Sequence, residues 1–315
     1  MTSVIIPFVS SLNAQEEQDW VSALSSALPS ESIKPFSTLS KQQKQAAEIA
    51  IIANPNPDDL KQLPNLVWVH SVWAGVEKLL QGNATPNYSI VRLIDPELSR
   101  TMSEAVLAWS LYLHRNMPDY RMQQAKAVWN PLPYVPASER KIGVLGLGEL
   151  GQASAKLLSS FGFSVMGWSR SAKDIAGVEC LNGQDGLDDL LSQSDILVCL
   201  LPQTPETEGL LGYENLAKLK PGAQLINFAR GKIIDEDALL HELNVGRIHH
   251  AVLDVFQYEP LPRSHTFWTH PNITVLPHIS APTTIESAVS IVAQNVRNYR
   301  HLNMLPATVD VQLGY

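Results

Sequence analysis

Three glycines of the sequence have the spacing of a dinucleotide phosphate site. Gly146, Gly148 and Gly151 follow an apolar run, residues 142–145, that predicts a buried strand. In such a loop the first glycine permits a tight turn, the second lets the backbone approach the phosphates, and the third lets helix and strand pack closely. The helix that begins there directs its free N–H groups and its positive dipole end at the anion. We therefore predict cofactor contacts at five loop residues: Gly146, Gly148, Glu149, Leu150 and Gly151.

The residues after the second strand indicate which dinucleotide binds. An NAD site usually has an acidic residue about 20 positions after the glycines, where it bonds the adenosine ribose. Here the strand pattern at 163–168 is followed by Ser169, Arg170 and Ser171. A guanidinium and hydroxyl groups can form bonds to a 2′-phosphate, whereas a carboxylate would repel it. We therefore predict a preference for NADP(H) over NAD(H); the alternative is that Arg170 is a solvated surface residue.

The C-terminal half carries polar residues at four predicted strand ends, where an open α/β sheet places its ligand crevice. The positions of interest are Leu201, Pro202, Ala229, Arg230, Asp254, Glu259 and His278. Leu201 and Pro202 would run beside the cofactor. Taken singly, the charged residues also have structural interpretations: Arg230 could bridge two domains, Glu259 could be a solvated turn residue, and His278 could be an interior histidine. The residues alone leave both interpretations open.

The alternation of apolar strand patterns with helical patterns predicts an α/β protein with two doubly wound parallel-sheet domains. Strand patterns occur at 4–9, 49–53, 66–70, 142–145, 163–168, 196–201, 223–228, 250–255 and 273–276. Long helical patterns at 97–117 and 283–303 connect them. The predicted domains are residues 1–97 together with 284–315, and residues 98–283. The first domain is therefore built from both ends of the chain.

One further backbone segment could bind an anion. Ala74 and Gly75 stand where a strand meets a short helix, and their small side chains let their N–H groups approach a bound carboxylate. The alternative is a tight strand-to-helix turn without a ligand. Position alone does not decide between them.

Composition excludes several classes of protein. The net charge of −8 provides no basic footprint for nucleic acid. With two cysteines in 315 residues, neither a disulfide framework nor a metal site is expected. The N-terminus lacks a basic region, and no run approaches the ~18 apolar residues of a membrane span. We therefore expect a cytoplasmic protein without a membrane partner.

The segment at about 118–140 predicts self-association. It contains the sequence WNPLPYVP, which is too apolar and too rich in proline for a loose linker. A solitary apolar arm of this kind is expected to pack on another subunit, so we predict a homodimer.

Together these motifs resemble the D-isomer specific 2-hydroxyacid dehydrogenase family. The resemblance covers the glycine loop and the segments LLPQTPET, NFARG, LDVFQYEPLP and LPHIS. SRS, WNPLP and the ending VDVQLGY are most similar to its bacterial glyoxylate/hydroxypyruvate reductase branch. The resemblance implies a Rossmann cofactor domain inserted into a flavodoxin-like substrate domain. It also implies NADPH-dependent reduction of glyoxylate and hydroxypyruvate in the cleft between the domains.

The resemblance also implies roles for three charged residues. Arg230 would hold the substrate carboxylate and polarise its carbonyl with a planar fork of donors. His278 would give a proton to the forming alkoxide as general acid. Glu259 would bond the other ring nitrogen, fix the tautomer and raise the pKa of His278.

Further implied contacts are the backbone of Ala74 and Gly75 with the substrate carboxylate, and Asp254 with the nicotinamide carboxamide. The chain departs from its relatives at Ala53-Asn54, where they carry a Trp-His pair before a proline. Loss of the tryptophan would enlarge the pocket, so a reductase of larger 2-oxo acids is one alternative. A non-catalytic, NAD(P)-sensing interaction protein on the same fold is the other.

Overall fold

The computed structural model of the protein describes residues 4–80 and 86–314. The chain divides into two compact units. Unit 1 comprises Met1–Pro96 and Thr283–Tyr315, and unit 2 comprises Glu97–Pro282. Among the described residues, no helix combines the length and the apolar character that crossing a membrane requires.

Unit 1 is built on a five-stranded parallel sheet. Its strands are β1 (Val4–Ser10), β2 (Glu31–Pro35), β3 (Ile49–Ala53), β4 (Trp68–Ser71) and β5 (Ser89–Val91). They are ordered β2-β1-β3-β4-β5, which is the flavodoxin-like order. Every residue of β3, IAIIA, is buried, because helices cover both faces of the central strands of such a sheet.

In the described residues between these strands there are four α-helices. They are α1 (Ala14–Ala27), α2 (Lys41–Ala46), α3 (Pro57–Leu60) and α4 (Glu77–Leu80). The first begins at a capping box: the Asn13 side chain accepts from the Glu16 N–H, and the Glu16 side chain accepts from the Asn13 N–H. Its buried face carries Trp20, Val21 and Leu24.

Unit 2 contains a seven-stranded parallel sheet. Its strands are β6 (Lys141–Leu145), β7 (Ser164–Trp168), β8 (Glu179–Leu181), β9 (Ile196–Cys199), β10 (Ala223–Asn227), β11 (Ile248–Leu253) and β12 (Ile273–Val275). The order β12-β11-β10-β9-β6-β7-β8 is the Rossmann order extended by one strand. The predicted fold class, α/β with two doubly wound parallel sheets, is thereby confirmed.

The helices of unit 2 are α5 (Pro96–His114), α6 (Met117–Ala125), α7 (Glu149–Phe161), α8 (Gly183–Gln193), α9 (Tyr213–Leu216) and α10 (Glu236–Asn244). Short 3-10 segments lie at Phe36–Thr38, Ala137–Glu139, Gly231–Ile233 and Thr266–Trp268. The chain then returns to unit 1 with α11 (Ile285–Leu302). Beyond this helix, the Val309 N–H donates to the Ile90 carbonyl at 2.7 Å.

The helical pattern over 97–117 is interrupted, which corrects the sequence expectation. Asn116 has a φ of 55°, in the left-handed region that asparagine tolerates better than most residues, and a new helix begins at Met117 with Pro118 in its first turn. The segment at 118–140 therefore begins in α6. Beyond α6 the segment is held by bonds to that helix, while Trp129 and Tyr134 are 96% and 72% exposed.

Candidate active site

A histidine–carboxylate pair stands beyond the carboxyl ends of β11 and β12. His278 Nδ1 lies 2.7 Å from Glu259 Oε2. The other oxygen of that carboxylate accepts the Phe256 N–H at 3.0 Å, so both oxygens are used. Because a carboxylate only accepts, Nδ1 carries the hydrogen in this bond and Nε2 is left to exchange a proton with a ligand.

The contact between the two side chains shifts the pKa of each in the direction that favours its charged form. The hydrogen bond that His278 donates to Glu259 raises the pKa of His278, against the opposing effects of burial and of the Arg230 charge. Burial pushes the pKa of Glu259 upward, but the bonds from His278 and the Phe256 N–H outweigh it and hold that pKa below its usual value. The arrangement therefore favours imidazolium beside carboxylate.

The backbone that carries His278 is held by a second carboxylate. Asp254 is 2% exposed, and its two oxygens accept the N–H groups of Ile279 and Ser280, each at 2.8 Å. His278 itself has a φ of 56°, a conformation that costs a non-glycine residue about 1–3 kcal/mol and persists only where neighbouring bonds fix it. Asp254 provides such bonds. The predicted contact of Asp254 with a carboxamide stays a prediction.

Arg230 follows β10 and is fixed by its own loop. Its Nη1 donates to the Ala229 carbonyl at 2.7 Å, and its carbonyl accepts from the Asn227 side chain at 3.1 Å. At Gly231 a side chain would overlap the Phe256 carbonyl, so only glycine lets this loop pack against the segment that leads to Glu259. The Arg230 charge consequently acts on the pKa values of both His278 and Glu259.

The glycine loop fits a pyrophosphate. Gly146 has a φ of 98°, as a tight turn requires, and its N–H donates to the Trp168 carbonyl at 2.8 Å, which extends the pairing of β6 with β7 into the loop. A side chain on Gly151 would overlap the Gly146 carbonyl. Gly148 is the N-cap of α7 and provides no side-chain cap, so the first turn of this helix keeps donors for an anion. Glu149 and Leu150, also predicted as contacts, form that first turn.

The other predicted cofactor residues lie beyond neighbouring strands of the same sheet. Leu201 and Pro202 follow β9, and Ala229 follows β10. Ser169, beyond β7, is 9% exposed and donates its hydroxyl to the Ser171 carbonyl at 2.8 Å. Arg170 and Ser171 are exposed.

The sequence interpretation missed an acidic residue in this region. The bond with Thr204 lowers the pKa of Glu206, and the Arg170 charge contributes in the same direction. Only the strand order β9-β6-β7, which places the loops after β7 and β9 on either side of the glycine loop, could have indicated this proximity.

In unit 1, Ala74 and Gly75 lie just beyond β4, as expected. Their loop is shaped by a bond from the Trp73 N–H to Ser71 Oγ at 3.0 Å. In the described part of the chain, the N–H groups of Ala74 and Gly75 have no hydrogen-bond acceptor, so they are available to an anion. Ala53, by contrast, is wholly buried in the apolar core of unit 1, so the enlarged pocket stays a prediction.

Burial favours the neutral form of three titratable groups elsewhere. His70 and His250 are 0% and 3% exposed, and burial is the main cause that lowers the pKa of each to about 4. Burial raises the pKa of the Cys199 thiol to about 12. Over residues 4–80 and 86–314, no group of three or more His, Cys, Asp or Glu side chains is arranged to hold a metal ion.

Comparison with known proteins identifies relatives of the whole chain. Residues 107–280 match the family model of the D-isomer specific 2-hydroxyacid dehydrogenase NAD-binding domain. A glyoxylate/hydroxypyruvate reductase A from Yersinia enterocolitica is 36% identical over 306 residues, which are 95% of this chain and 97% of the relative.

Two solved structures are similar over nearly the full length of both chains. A D-isomer specific 2-hydroxyacid dehydrogenase from Xanthobacter autotrophicus Py2, in complex with NADPH and MES, has a TM-score of 0.92 and 35% identity, with 100% of each chain covered. An NADPH-dependent glyoxylate/hydroxypyruvate reductase from Sinorhizobium meliloti, in complex with NADP and sulfate, has a TM-score of 0.90 and 31% identity, covering 99% of this chain and 100% of that one.

Proposed function

Because this chain belongs to the D-isomer specific 2-hydroxyacid dehydrogenase family, we propose that it reduces glyoxylate and hydroxypyruvate with NADPH. The broader activity, that of an NADP-linked oxidoreductase acting as a 2-hydroxyacid reductase, follows from its relatives. The observation that supports the proposed chemistry best is the His278–Glu259 pair at 2.7 Å, with its raised histidine pKa.

His278 is the proposed general acid. Its Nε2 proton goes to the carbonyl oxygen as the 2-oxo acid becomes a 2-hydroxy acid, while bound NADPH supplies the hydride that the carbonyl carbon receives. Glu259 holds Nδ1–H, so the proton that leaves is the one on Nε2. Glu259 also stabilises the imidazolium before transfer, because its hydrogen bond and its charge raise the pKa of His278.

The substrate carboxylate is the proposed ligand of Arg230 and of the Ala74 and Gly75 backbone. Arg230 offers a planar set of donors that match a carboxylate and the adjacent carbonyl oxygen. The two free N–H groups after β4 match an anion that cannot donate hydrogen bonds. A 2-oxo acid presents both a carboxylate and a ketone; in this proposal the carboxylate accepts from these donors and the ketone oxygen from His278.

The proposed cofactor is NADP(H) in preference to NAD(H), held by the glycine loop and by Arg170. The exposed guanidinium beyond β7 stands where a carboxylate would select NAD(H). NADPH and NADP are bound in the two similar structures from Xanthobacter and Sinorhizobium. If Arg170 selects the cofactor, Arg170→Asp should reverse the ratio of kcat/KM for NADPH to kcat/KM for NADH. The same ratio in the wild type and the variant would contradict this role.

We also propose that the protein is a homodimer and that the segment after α6 packs on the second copy. Trp129 and Tyr134 expose their rings on this segment. An apolar surface of this kind is usually covered in solution. Multi-angle light scattering at micromolar protein should give twice the chain mass of 34.7 kDa, and a monomer would contradict the proposal.

An initial-rate panel tests the proposed function. Glyoxylate, hydroxypyruvate and larger aliphatic and aromatic 2-oxo acids are each assayed with NADPH and with NADH. The expected result is that the two small acids with NADPH have the highest kcat/KM. Higher values for larger acids would favour the alternative reductase, and no oxidation of NADPH by any acid would favour a nucleotide-sensing protein.

A further inference from the structure

The loop that carries Ala74 and Gly75 is fixed at its first residue by a buried histidine. His70, in β4, is 0% exposed, and its Nδ1 lies 2.8 Å from the carbonyl oxygen of Ser71. A carbonyl only accepts hydrogen bonds, so Nδ1 carries the ring hydrogen and donates it. This bond and the sheet bond from the Val72 N–H to the Ile52 carbonyl, at 2.9 Å, together fix the orientation of the Ser71–Val72 peptide, which begins the loop.

The other ring nitrogen connects the loop to a helix from the far end of the chain. His70 Nε2 lies 2.9 Å from the side-chain Nδ2 of Asn295, in the middle of α11. Since Nδ1 is protonated, Nε2 is an acceptor and the Asn295 amide donates to it. Neighbouring residues of this helix, Val292 and Val296, are wholly buried, so packing fixes the part of α11 that carries Asn295.

Only the neutral imidazole can make both bonds. A protonated ring would present a donor to the Asn295 amide donor, and burial lowers the pKa of His70 to about 4, well below neutral pH. The ring is therefore a rigid two-ended link, donor on one side and acceptor on the other. It runs from α11 through β4 to the peptide that precedes the two free N–H groups.

We propose that His70 and Asn295 are positioning residues for the substrate: they hold the Ser71–Gly75 backbone so that the Ala74 and Gly75 N–H groups meet the carboxylate of a 2-oxo acid. This inference rests on the proposed function. It adds that the affinity for the substrate carboxylate depends on a contact between β4 and α11. Neither residue touches the reacting atoms, so their effect is expected on substrate affinity and not on the chemical step.

His70→Leu, His70→Gln and Asn295→Ala test the inference by steady-state kinetics with hydroxypyruvate. His70→Leu removes both bonds and Asn295→Ala removes one. A lost hydrogen bond corresponds to about three- to tenfold, so KM for hydroxypyruvate should rise by that factor while kcat and the Kd of NADPH change less than about twofold. His70→Gln should retain most of the wild-type KM, because an amide can donate at one end and accept at the other.

His250→Leu is the matched control. His250 is also buried in a parallel strand, and its Nε2 lies 2.9 Å from Thr274 Oγ1, but it lies in unit 2. This variant should lose thermal stability as His70→Leu does and leave KM unchanged. Should His70→Leu misfold, Asn295→Ala carries the test alone, because Asn295 is only half-buried.

Three results would overturn the inference. They are an unchanged KM in Asn295→Ala, an equal rise of KM in His250→Leu, and a fall of kcat that matches the rise of KM in His70→Leu. If the wild-type protein reduces hydroxypyruvate, each of these leaves the proposed function in place. A wild-type protein that reduces no 2-oxo acid overturns the proposed function and this inference together.

Discussion

Two histidines beside the carboxyl ends of parallel strands have opposite electrostatic surroundings. The His278 side chain, in unit 2, is 53% exposed and contacts a carboxylate, and its pKa is raised. His70, in unit 1, is 0% exposed and contacts a carbonyl and an amide, and its pKa is lowered to about 4. The side chain is the same, and the fold contexts are similar.

The difference lies in the charge of the partner and in access to water. A carboxylate stabilises the imidazolium, whereas a carbonyl and an amide, buried without a counter-ion, stabilise only the neutral ring. One histidine is thus suited to give up a proton near neutral pH, and the other is suited to remain a fixed donor–acceptor link. If this comparison is right, substitution of His278 should slow the chemical step, whereas substitution of His70 should weaken substrate binding. The two substitutions should also change the pH dependence of stability in opposite directions.

The largest expected effect is that of His278→Ala. Removing a positioned general acid costs typically about 10²–10⁴ in rate, so kcat for hydroxypyruvate should fall by that factor at pH 7. The Kd of NADPH, measured by fluorescence titration, should change little, because the glycine loop and Arg170 are untouched. Turnover within a few-fold of wild type would show that His278 is not the acid.

A second histidine–carboxylate pair provides the control for this variant. His249 Nε2 lies 2.9 Å from Asp119 Oδ1, a geometry close to that of the site pair. It lies near the start of β11, at the amino end of the strand, while the site lies beyond the carboxyl end. His249→Ala should therefore leave kcat unchanged, which separates loss of a catalytic pair from loss of any such pair.

An intermediate effect is expected for Glu259→Gln. The bond and the charge of Glu259 raise the pKa of His278, so the neutral side chain should lower it. Reduction needs the imidazolium, and the rate falls as pH rises through this pKa; the fall should therefore begin at a lower pH in the variant. Each unit of lowered pKa costs up to about tenfold in kcat/KM on the alkaline side.

Full pH profiles of kcat/KM measure this shift. The loss should be smallest at the acid end of the profile, where both imidazoles are protonated, and should grow toward the alkaline end, because Glu259 raises the pKa of His278 in the wild type. A variant that is slower by the same factor at every pH would show that Glu259 orients the ring without setting its pKa.

The sequence was sufficient for features that depend on local pattern. The glycine loop could be predicted because its three glycines are close in sequence, and the placement of the candidate site residues beyond strand ends because parallel strands end at one edge of a sheet. The edge strands β2, β5 and β8 were missed, since each has only three to five residues and few apolar positions. Their assignment depends on pairing with a neighbour that is distant in sequence.

Contacts between segments that are distant in the chain could not be predicted from local sequence patterns. His70 and Asn295 are 225 positions apart, and a lone histidine in an apolar strand is typical of many interior positions. Asp254 was predicted as a cofactor contact from its position, but the sequence could not indicate that its two oxygens hold the backbone after His278. That role depends on the path of the loop after β12, which no local spacing encodes.

The smallest expected effect is on the pH dependence of the free energy of unfolding. Its sign should differ between the two histidines. Below the unperturbed pKa of 6.5, an unfolded chain protonates His70 whereas the folded one does not until about pH 4, so stability falls as the pH falls through this window. Each such proton contributes a slope of about 1.4 kcal/mol per pH unit. His70→Gln should lower the number of protons taken up on unfolding by up to one, so the slope between pH 6.5 and pH 4 should be less steep in the variant. Urea unfolding at several pH values measures this slope.

His278→Gln should change the pH dependence of stability in the opposite direction. A histidine whose folded pKa is raised stabilises the folded state below its unfolded pKa, and this contribution is lost as the pH rises through the folded value. Because the side chain is 53% exposed, the change should be well below that at His70. Urea midpoints at pH 5 and pH 8 should therefore move in opposite senses in the two variants. Midpoints that move together would mean that the two rings have the same charge in the folded protein, and the contrast between carboxylate and amide partners would then explain nothing.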